Sequence, residues 1–590
     1  MSKADLRKSK KEPAVGPVTD IAIAAAQDRR CDLFVAAVLF ALGVCQSVLY
    51  FGHQVVPNSD FPAFNLTGHQ IWSGQLPTKY KWGPVVGVLQ VPLGRLAGGR
   101  HPDLTGGWLL NAVLHPFSVL LFWLVGKRII GASAVWFAIV AVINPWIVYL
   151  LTEPIAETTM LFFILLTFYF IFKNSRWGYF FASITTMVRY EGAALVLAAF
   201  VMDMINAQDK RRRISAVVCA AAASVPLALW IAGTLINWQA QGESHYFSVF
   251  TKDYEKLFSE PVADRVGFIK HIGLLWQVGF NPLLVLNPRT GAGAGGAGMV
   301  FAGGCLLFGS AYGIYRRNWG VLVLLLFFVP YFILHARYPY PLPRYHVIIF
   351  WIAVLLCMFG LQSIYGLINS KWRIPRPVVF VLQAAVLATA VNQIYMLSEY
   401  LPKLSRISPC SHKLLFVTVA AAAVISGAFV FFHSRKHILK HFAVLAAICL
   451  IAVSNHFSLV RLVGDGQRDS EFKLLADWYI ANAKPGEKMA VYLSVVVKIF
   501  VPECADSFVG IPKAEDRQEF IKKCYDENIT YVVWASREML NPGSENYKLR
   551  RLDNIAFLDK PNDNGPFKFV ARLISGRGWV NVFKLPPKAE

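Results

Sequence analysis

The chain carries Pro57-Asn-Ser-Asp60-Phe-Pro directly after its first long apolar segment, and a little further on Thr-Lys79-Tyr-Lys81-Trp-Gly-Pro. A carboxylate at a water boundary can take the proton of an attacking hydroxyl, and an ammonium group on the same loop can offset charge that builds on a phosphate. Other ionisable residues sit at the ends of apolar runs: Glu153 in Thr-Glu-Pro154, the Arg189-Tyr-Glu191 pair, and Arg337, Arg344 and His346. Each also has a purely structural role open to it. Asp60 can cap the helix that starts at Phe61, and Glu153 can simply begin the helix after Pro154. Arg189 and Glu191 can form a structural ion pair, and Arg344 can reach past lipid to the headgroups.

Composition decides what must position these groups. Of 590 residues, 55% are hydrophobic and only 16% charged, with a mean hydropathy of +0.46. Soluble domains carry about 25% charged residues. The net charge of +22 is spread as short basic clusters between apolar runs. That pattern is a topology signal rather than a nucleic-acid surface. Anionic lipid headgroups are the secondary partner it implies.

Residues 1–32 read as a cytoplasmic basic N-terminus, and 33–51 as an uncleaved first span. Further spans fall at 107–125, 132–151, 155–172, 217–236, 299–315, 321–335, 345–368, 378–397, 414–432 and 442–460. Segment 177–207 must cross twice to keep Lys210-Arg-Arg-Arg213 inside, which asks for two short helices meeting at Arg189. The expected fold is an α-helical polytopic membrane protein of about 13 transmembrane helices. Large outside loops cover about 52–106 and 237–298, within a transmembrane domain of 33–460. Asp60, Lys81, Glu153, Arg189, Glu191, Arg337, Arg344 and His346 then converge on the outer boundary. The stretch 264–280 is amphipathic and expected to lie along the interface. Gly291–Gly298 lacks a P-loop ending and reads as a flexible loop.

Residues 461–590 change character. Phe472, Leu475 and Tyr479 recur at helical spacing, 489–493 and 529–535 read as strands around a helix at 515–528, and 568–573 and 579–585 are further strands. This predicts a small α/β domain, extracytoplasmic because the span count is odd. It has no glycine-rich phosphate loop, so it supports the membrane part. Cys504 and Cys524 would pair there if the compartment is oxidising.

The order of these motifs resembles the GT-C membrane glycosyltransferases, in the bacterial branch with protein mannosyltransferases and lipid A aminoarabinose transferases. The resemblance rests on Ser59-Asp60-Phe through Gly74-Gln-Leu-Pro, Lys81-Trp-Gly-Pro, Thr152-Glu153-Pro154, Val188-Arg189-Tyr-Glu191-Gly192 and Arg344-Tyr-His. Two departures stand out: the Asp-Glu pair of protein mannosyltransferases is Asp60-Phe61, and the Lys-Pro-Pro pattern is Lys81-Trp-Gly-Pro.

The resemblance implies a multi-pass protein of the cell (inner) membrane with its C-terminal domain periplasmic. It implies transfer of a hexosyl or pentosyl group, with inversion, from a polyprenyl-phosphate donor to a lipid, glycan or protein hydroxyl. Asp60 would be the base, Glu153 would orient the acceptor or share a cation with Asp60, and Lys81, with Arg344 and Arg189 behind it, would hold the donor phosphate. Glu191, Arg337 and His346 would support them. No cofactor is required; with Phe61 in place of a second acid, a divalent cation stays an open requirement. A transporter or flippase would call for internal repeats and midplane charges. A polysaccharide polymerase or ligase would share the lipid-linked substrate.

Overall fold

The computed structural model describes residues 18–78, 83–241, 263–280, 285–287, 292–293, 295–336, 342–372, 381, 384, 408–433, 438–536, 552–559, 565–575 and 578–587. It is a helical bundle with a small sheet domain at one end. The first half runs α1 (Val18–Tyr50), α2 (Phe61–Trp72), α3 (Val85–Ala97), α4 (Pro102–Ile130), α5 (Ala134–Val142), α6 (Pro145–Thr152), α7 (Ala156–Phe172), α8 (Trp177–Val188), α9 (Ala193–Asn206) and α10 (Lys210–Gln241). The second half adds α11 (Ala263–Gly279), α12 (Gly295–Tyr315), α13 (Trp319–Ala336), the short α14 (Pro343–Val347), α15 (Phe350–Trp372), α16 (Pro409–His433) and α17 (Ile438–Val463).

Among the described residues, eight helices are long and apolar enough to cross a membrane, or nine if α6 and α7 form one broken span bent by 119°. The sequence count of about 13 divides the chain more finely. It includes α8 and α9, of 12 and 14 residues, and 378–397, which lies outside the described residues. Two short helices do meet at Arg189, as the sequence requires, though neither is among the helices long and apolar enough to cross a membrane.

Local chemistry sets the breaks. Asn144 caps α6, its Oδ1 accepting from Trp146 N at 2.9 Å, with Pro145 as the first helical residue. A residue before proline avoids the helical region, and Glu153 is extended at φ −107°, ψ 128°. That ends α6 and turns the chain into α7. The core is a continuous apolar cluster drawn mainly from α4, α5, α7, α13 and α15, with Trp351 in edge contact with both Phe122 and Phe168. Lys127 at the end of α4 pairs with Asp32 early in α1, and Asn206 bonds Asn174. The basic connections around 127, 173 and 210 thus lie at the end of the bundle away from Asp60.

Two expectations change. The glycine run is not simply a loop: Ala292–Gly293 pairs with Val285–Asn287 as a two-stranded ribbon (β2 and β1), and α12 starts at Gly295. In α11, His271 and Val278 are buried against α14 and α15, so this helix is packed into the protein rather than lying free along the interface.

The C-terminal domain comprises α18 (Ser470–Asn482), β3 (Lys488–Ala490), α19 (Ser494–Phe500), β4 (Phe508–Val509), α20 (Arg517–Asp526), β5 (Ile529–Ser536), β6 (Lys568–Ser575) and β7 (Gly578–Lys584). The sheet order is β4-β3-β5-β7-β6, parallel across β4, β3 and β5 and antiparallel across β5, β7 and β6. Side chains alternate between faces. Met489, Tyr531, Val533, Val580 and Val582 pack toward α18 and α19, whereas Ala490, Val532, Trp534 and Phe583 pack with Phe520 and Cys524 of α20. Cys504 belongs to the first cluster and Cys524 to the second, so both thiols are free and the suggested disulfide does not form.

The first of those clusters also contains Val56, Phe61 and Leu104. The sheet domain therefore packs directly on the segment that carries Asp60. Gln54 Nε2 donates to the Arg468 carbonyl at 2.8 Å, Val55 N to the Gly466 carbonyl at 3.2 Å, and Arg100 pairs with Asp477 at 3.4 Å.

Candidate active site

Asp60 occupies the N-cap position of α2, but its side chain makes no capping hydrogen bond. It reaches across the bundle instead, where Arg344 Nη2 donates to its Oδ2 at 2.9 Å. α2 is fixed against α3 by a glycine-to-glycine crossing: a Cβ on Gly68 would run into the Gly87 carbonyl, and one on Gly87 into the Phe64 carbonyl. Arg344 is the second residue of α14, which Pro343 opens after extended Leu342.

Glu157, in the first turn of α7, joins two cations. Its Oε1 lies 3.5 Å from Arg344 Nε and 3.1 Å from Arg189 Nη1. Arg189 leaves the end of α8 in an extended conformation and forks onto Glu191, Nη2 to Oε1 at 3.0 Å and Nε to Oε2 at 3.4 Å. His335 Nε2 lies 3.3 Å from the same Glu191 oxygen. Tyr345 is at the centre: the guanidinium carbons of Arg189 and Arg344 stand 5.0 and 5.3 Å from its ring centre, and His335 stacks on it at 4.7 Å. The result is an unbroken chain, Asp60–Arg344–Glu157–Arg189–Glu191–His335.

Burial grades along this chain. Side-chain exposure is 31% at Asp60, 17% and 18% at the arginines, and 2% at Glu157. Buried charges persist only when paired, and Glu157 is paired twice. Two guanidiniums face three carboxylates, so the set has no surplus positive charge to offer a phosphate. Asp60 is the most exposed of these groups.

The other predicted residues fall as follows. Glu153 is buried at the α6–α7 break beside Tyr149 and Asn58; Asn111 Nδ2 holds its backbone carbonyl at 2.6 Å, and its Oε2 makes no hydrogen bond among the described residues. It does not itself join the chain of ion pairs. His346 is buried and bonds His271 Nδ1 at 3.2 Å, behind the site. Lys81 and Arg337 lie outside the described residues. The chain resumes at Gly83, where a Cβ would collide with the carbonyls of Met187 and Val188, the residues just before Arg189.

Sequence reasoning missed Glu157, His335 and Tyr345. Glu157 carried a signal: it is an acid in an apolar run one turn after Glu153. Tyr345 carried none beyond its place between Arg344 and His346. Among the described residues no group of three or more His, Cys, Asp or Glu is placed to hold a metal ion. Arg344 stands between the Asp60 and Glu157 carboxylates.

The sequence matches no family model, and no curated protein matches it. Solved structures do match. The crystal structure of ArnT from Cupriavidus metallidurans bound to undecaprenyl phosphate has a TM-score of 0.51 at 13% identity, covering 93% of this chain and 97% of that one. Its apo form gives 0.49 at 13% identity, covering 95% and 98%. The archaeal oligosaccharyltransferase AglB from Archaeoglobus fulgidus, in complex with an inhibitory peptide and a dolichol-phosphate, gives 0.46 at 11% identity, covering 85% and 69%. The ArnT likeness establishes the class of fold: a bundle of apolar helices, eight of them long enough to cross a membrane among the described residues, with a small C-terminal sheet domain.

Proposed function

We propose that this protein is a membrane glycosyltransferase that moves a sugar from a polyprenyl-phosphate donor to a hydroxyl acceptor at the Asp60 end of the bundle. The observation that carries the proposal is the Asp60–Arg344 pair, open to solvent on one side and anchored through Glu157 to Arg189 on the other. It occurs in a fold shared with a protein crystallised with undecaprenyl phosphate.

In this mechanism the acceptor oxygen attacks the anomeric carbon as the bond from that carbon to the phosphate oxygen breaks. Asp60 Oδ1 takes the hydroxyl proton while Arg344 holds Oδ2, and the proton later passes to water. A single displacement inverts the anomeric centre. The departing phosphate gains negative charge, which positioned cations stabilise. Because the arginines are already balanced by carboxylates, Lys81 supplies that charge, with Lys79 beside it. Gly83, two residues after Lys81, abuts the residues preceding Arg189, which supports that assignment. Arg344 and Arg189 contribute by shaping the site and bordering the phosphate. Glu153 orients the acceptor. The basic connections at the opposite end support a reading with Asp60 on the outer face of the cell membrane, by the positive-inside rule.

The test is transfer in reconstituted vesicles from a panel of polyprenyl-phosphate sugars, read by mass spectrometry of the products. A new glycosidic product with release of polyprenyl phosphate supports the proposal. Translocation of the donor without bond formation, or use only of diphosphate-linked oligosaccharides, would overturn it.

A further inference from the structure

At the end of α8 away from Arg189 there is a cavity of about 310 Å³ lined by Asn174, Arg176, Asp203, Asn206, Arg212 and Ser215. A second hollow of about 540 Å³ is apolar and lies between Phe180 and Ile184 of α8 and Cys219 and Ala222 of α10, with Pro84 and Val85 at the start of α3 also lining it. Along α8 the lining positions advance 176, 180, 184, 187, and along α10 they advance 212, 215, 219, 222, 226. Steps of three and four keep to one helix face. The two hollows follow one another along the seam where α8, with its N-cap Arg176, packs on α10; α9 closes the polar one through Asp203 and Asn206, and the two share no lining residue.

The seam is amphipathic from end to end. Arg176 and Arg212 line the polar mouth with the single carboxylate Asp203, and Lys173, Lys210, Arg211 and Arg213 flank them in sequence against Asp209, an excess of positive charge. Asp209 is partly engaged, its Oδ1 accepting from Arg212 N at 2.7 Å. Asn206 Nδ2 donates to Asn174 Oδ1 at 2.7 Å, which fixes the wall of the cavity. From Arg176 to Met187 the groove runs roughly 16 Å at 1.5 Å per residue, the reach of a fatty-acyl chain. The mouth offers guanidinium, amide and hydroxyl donors, the set that recognises phosphate.

We propose that this seam binds an anionic phospholipid. Its headgroup phosphate sits between Arg176 and Arg212, and one acyl chain lies along α8 and α10. The lipid comes from the leaflet opposite the Asp60 site. An isoprenoid donor serving Asp60 has its phosphate at the other end of α8, beside Arg189, and has no use for the basic mouth. The site does not depend on the glycosyltransferase reading, because it is defined by charge and shape alone.

The full-length protein, stripped of lipid in neutral detergent, would be titrated with phosphatidylglycerol and with phosphatidylcholine of the same chains, and the adducts counted by native mass spectrometry. The expected result is a tightly held phosphatidylglycerol with at least tenfold weaker phosphatidylcholine binding. Arg176→Gln combined with Arg212→Gln should remove the preference, and Ala222→Phe should weaken phosphatidylglycerol while a short-chain glycerophosphate still binds. Unchanged thermal melting of the variants confirms that they fold. Equal binding of both lipids, or phosphatidylglycerol binding that survives the double variant, would overturn the proposal. So would displacement by inorganic phosphate at equal concentration, which marks a simple anion site, or by undecaprenyl phosphate, which marks a donor groove.

Discussion

Arg344 and Asp60, 284 residues apart in sequence, meet through a 2.9 Å hydrogen bond from Nη2 to Oδ2. The bond spends Asp60 on a cross-bundle contact instead of on the cap of its own helix. A residue whose place in the backbone predicts one partner and whose side chain takes another is the mark of a constrained site. The same guanidinium also reaches Glu157, so the open carboxylate is held by a group that is itself held.

Asp60→Asn keeps the shape and removes the proposed base. General-base catalysis is worth roughly 10²–10⁴-fold, so kcat for sugar transfer should fall by about that factor, with donor KM little changed. Near-normal turnover by folded Asp60→Asn protein would reject the assignment.

Lys81→Ala should chiefly raise the donor KM, and Lys81→Arg should restore part of the loss, because the role is charge rather than shape. Initial rates at varied donor concentration give the split between KM and kcat. A pure kcat effect would count against phosphate binding.

Glu157→Gln leaves two guanidiniums short of a buried partner. Breaking a buried ion pair by removing one member costs about 3–5 kcal/mol. The melting temperature in detergent should drop clearly, and transfer should fall because Arg344 and Arg189 lose their common anchor. If stability is unchanged while activity falls, Glu157 touches substrate and is not a positioning residue.

Phe61 is fully buried in the cluster that joins the sheet domain to the bundle. Phe61→Ala should cost about 3–5 kcal/mol and lower transfer by loosening the segment that carries Asp60. Phe61→Glu, which would install the second acid of the protein mannosyltransferase pattern, should be worse, since it buries an unpaired charge. Melting curves of the two variants, compared with Phe61→Leu, rank the effects.

In the sheet domain, burial opposes ionisation of Glu487. The Lys484 amide, Lys584 and Tyr531 outweigh it and hold the carboxyl below its ordinary range. A depressed carboxylate stabilises the fold above its unfolded pKa of about 4.3, and that stability is lost as pH falls through the folded value. Thermal melting of the full chain should therefore weaken below about pH 4. Glu487→Gln should melt lower at neutral pH and converge with the wild type in acid.

Several features were legible because they depend on local sequence. Apolar runs mark the helices of the bundle. The Glu153-Pro154 break, the short helices around Arg189 and the alternating strands of the C-terminal domain follow from proline chemistry, length and period. The site residues at helix ends were visible as charges that a lipid-facing segment would not tolerate.

What the sequence determined by itself is which groups must lie at one end of the bundle, because each charge is tied to a helix terminus whose direction is set by the loops. Which of them touch was decided by tertiary packing alone. Asp60, Glu157, Arg189 and Arg344 come from four segments, and only the packed bundle brings Glu157 between the two arginines. The role of Phe61 also needed the fold. In sequence it is a departure from an acidic pair, and in three dimensions it is the apolar plug by which the sheet domain grips the segment that carries Asp60. Local rules act over a few residues, whereas these contacts join segments hundreds of residues apart, and nothing in either segment names its partner.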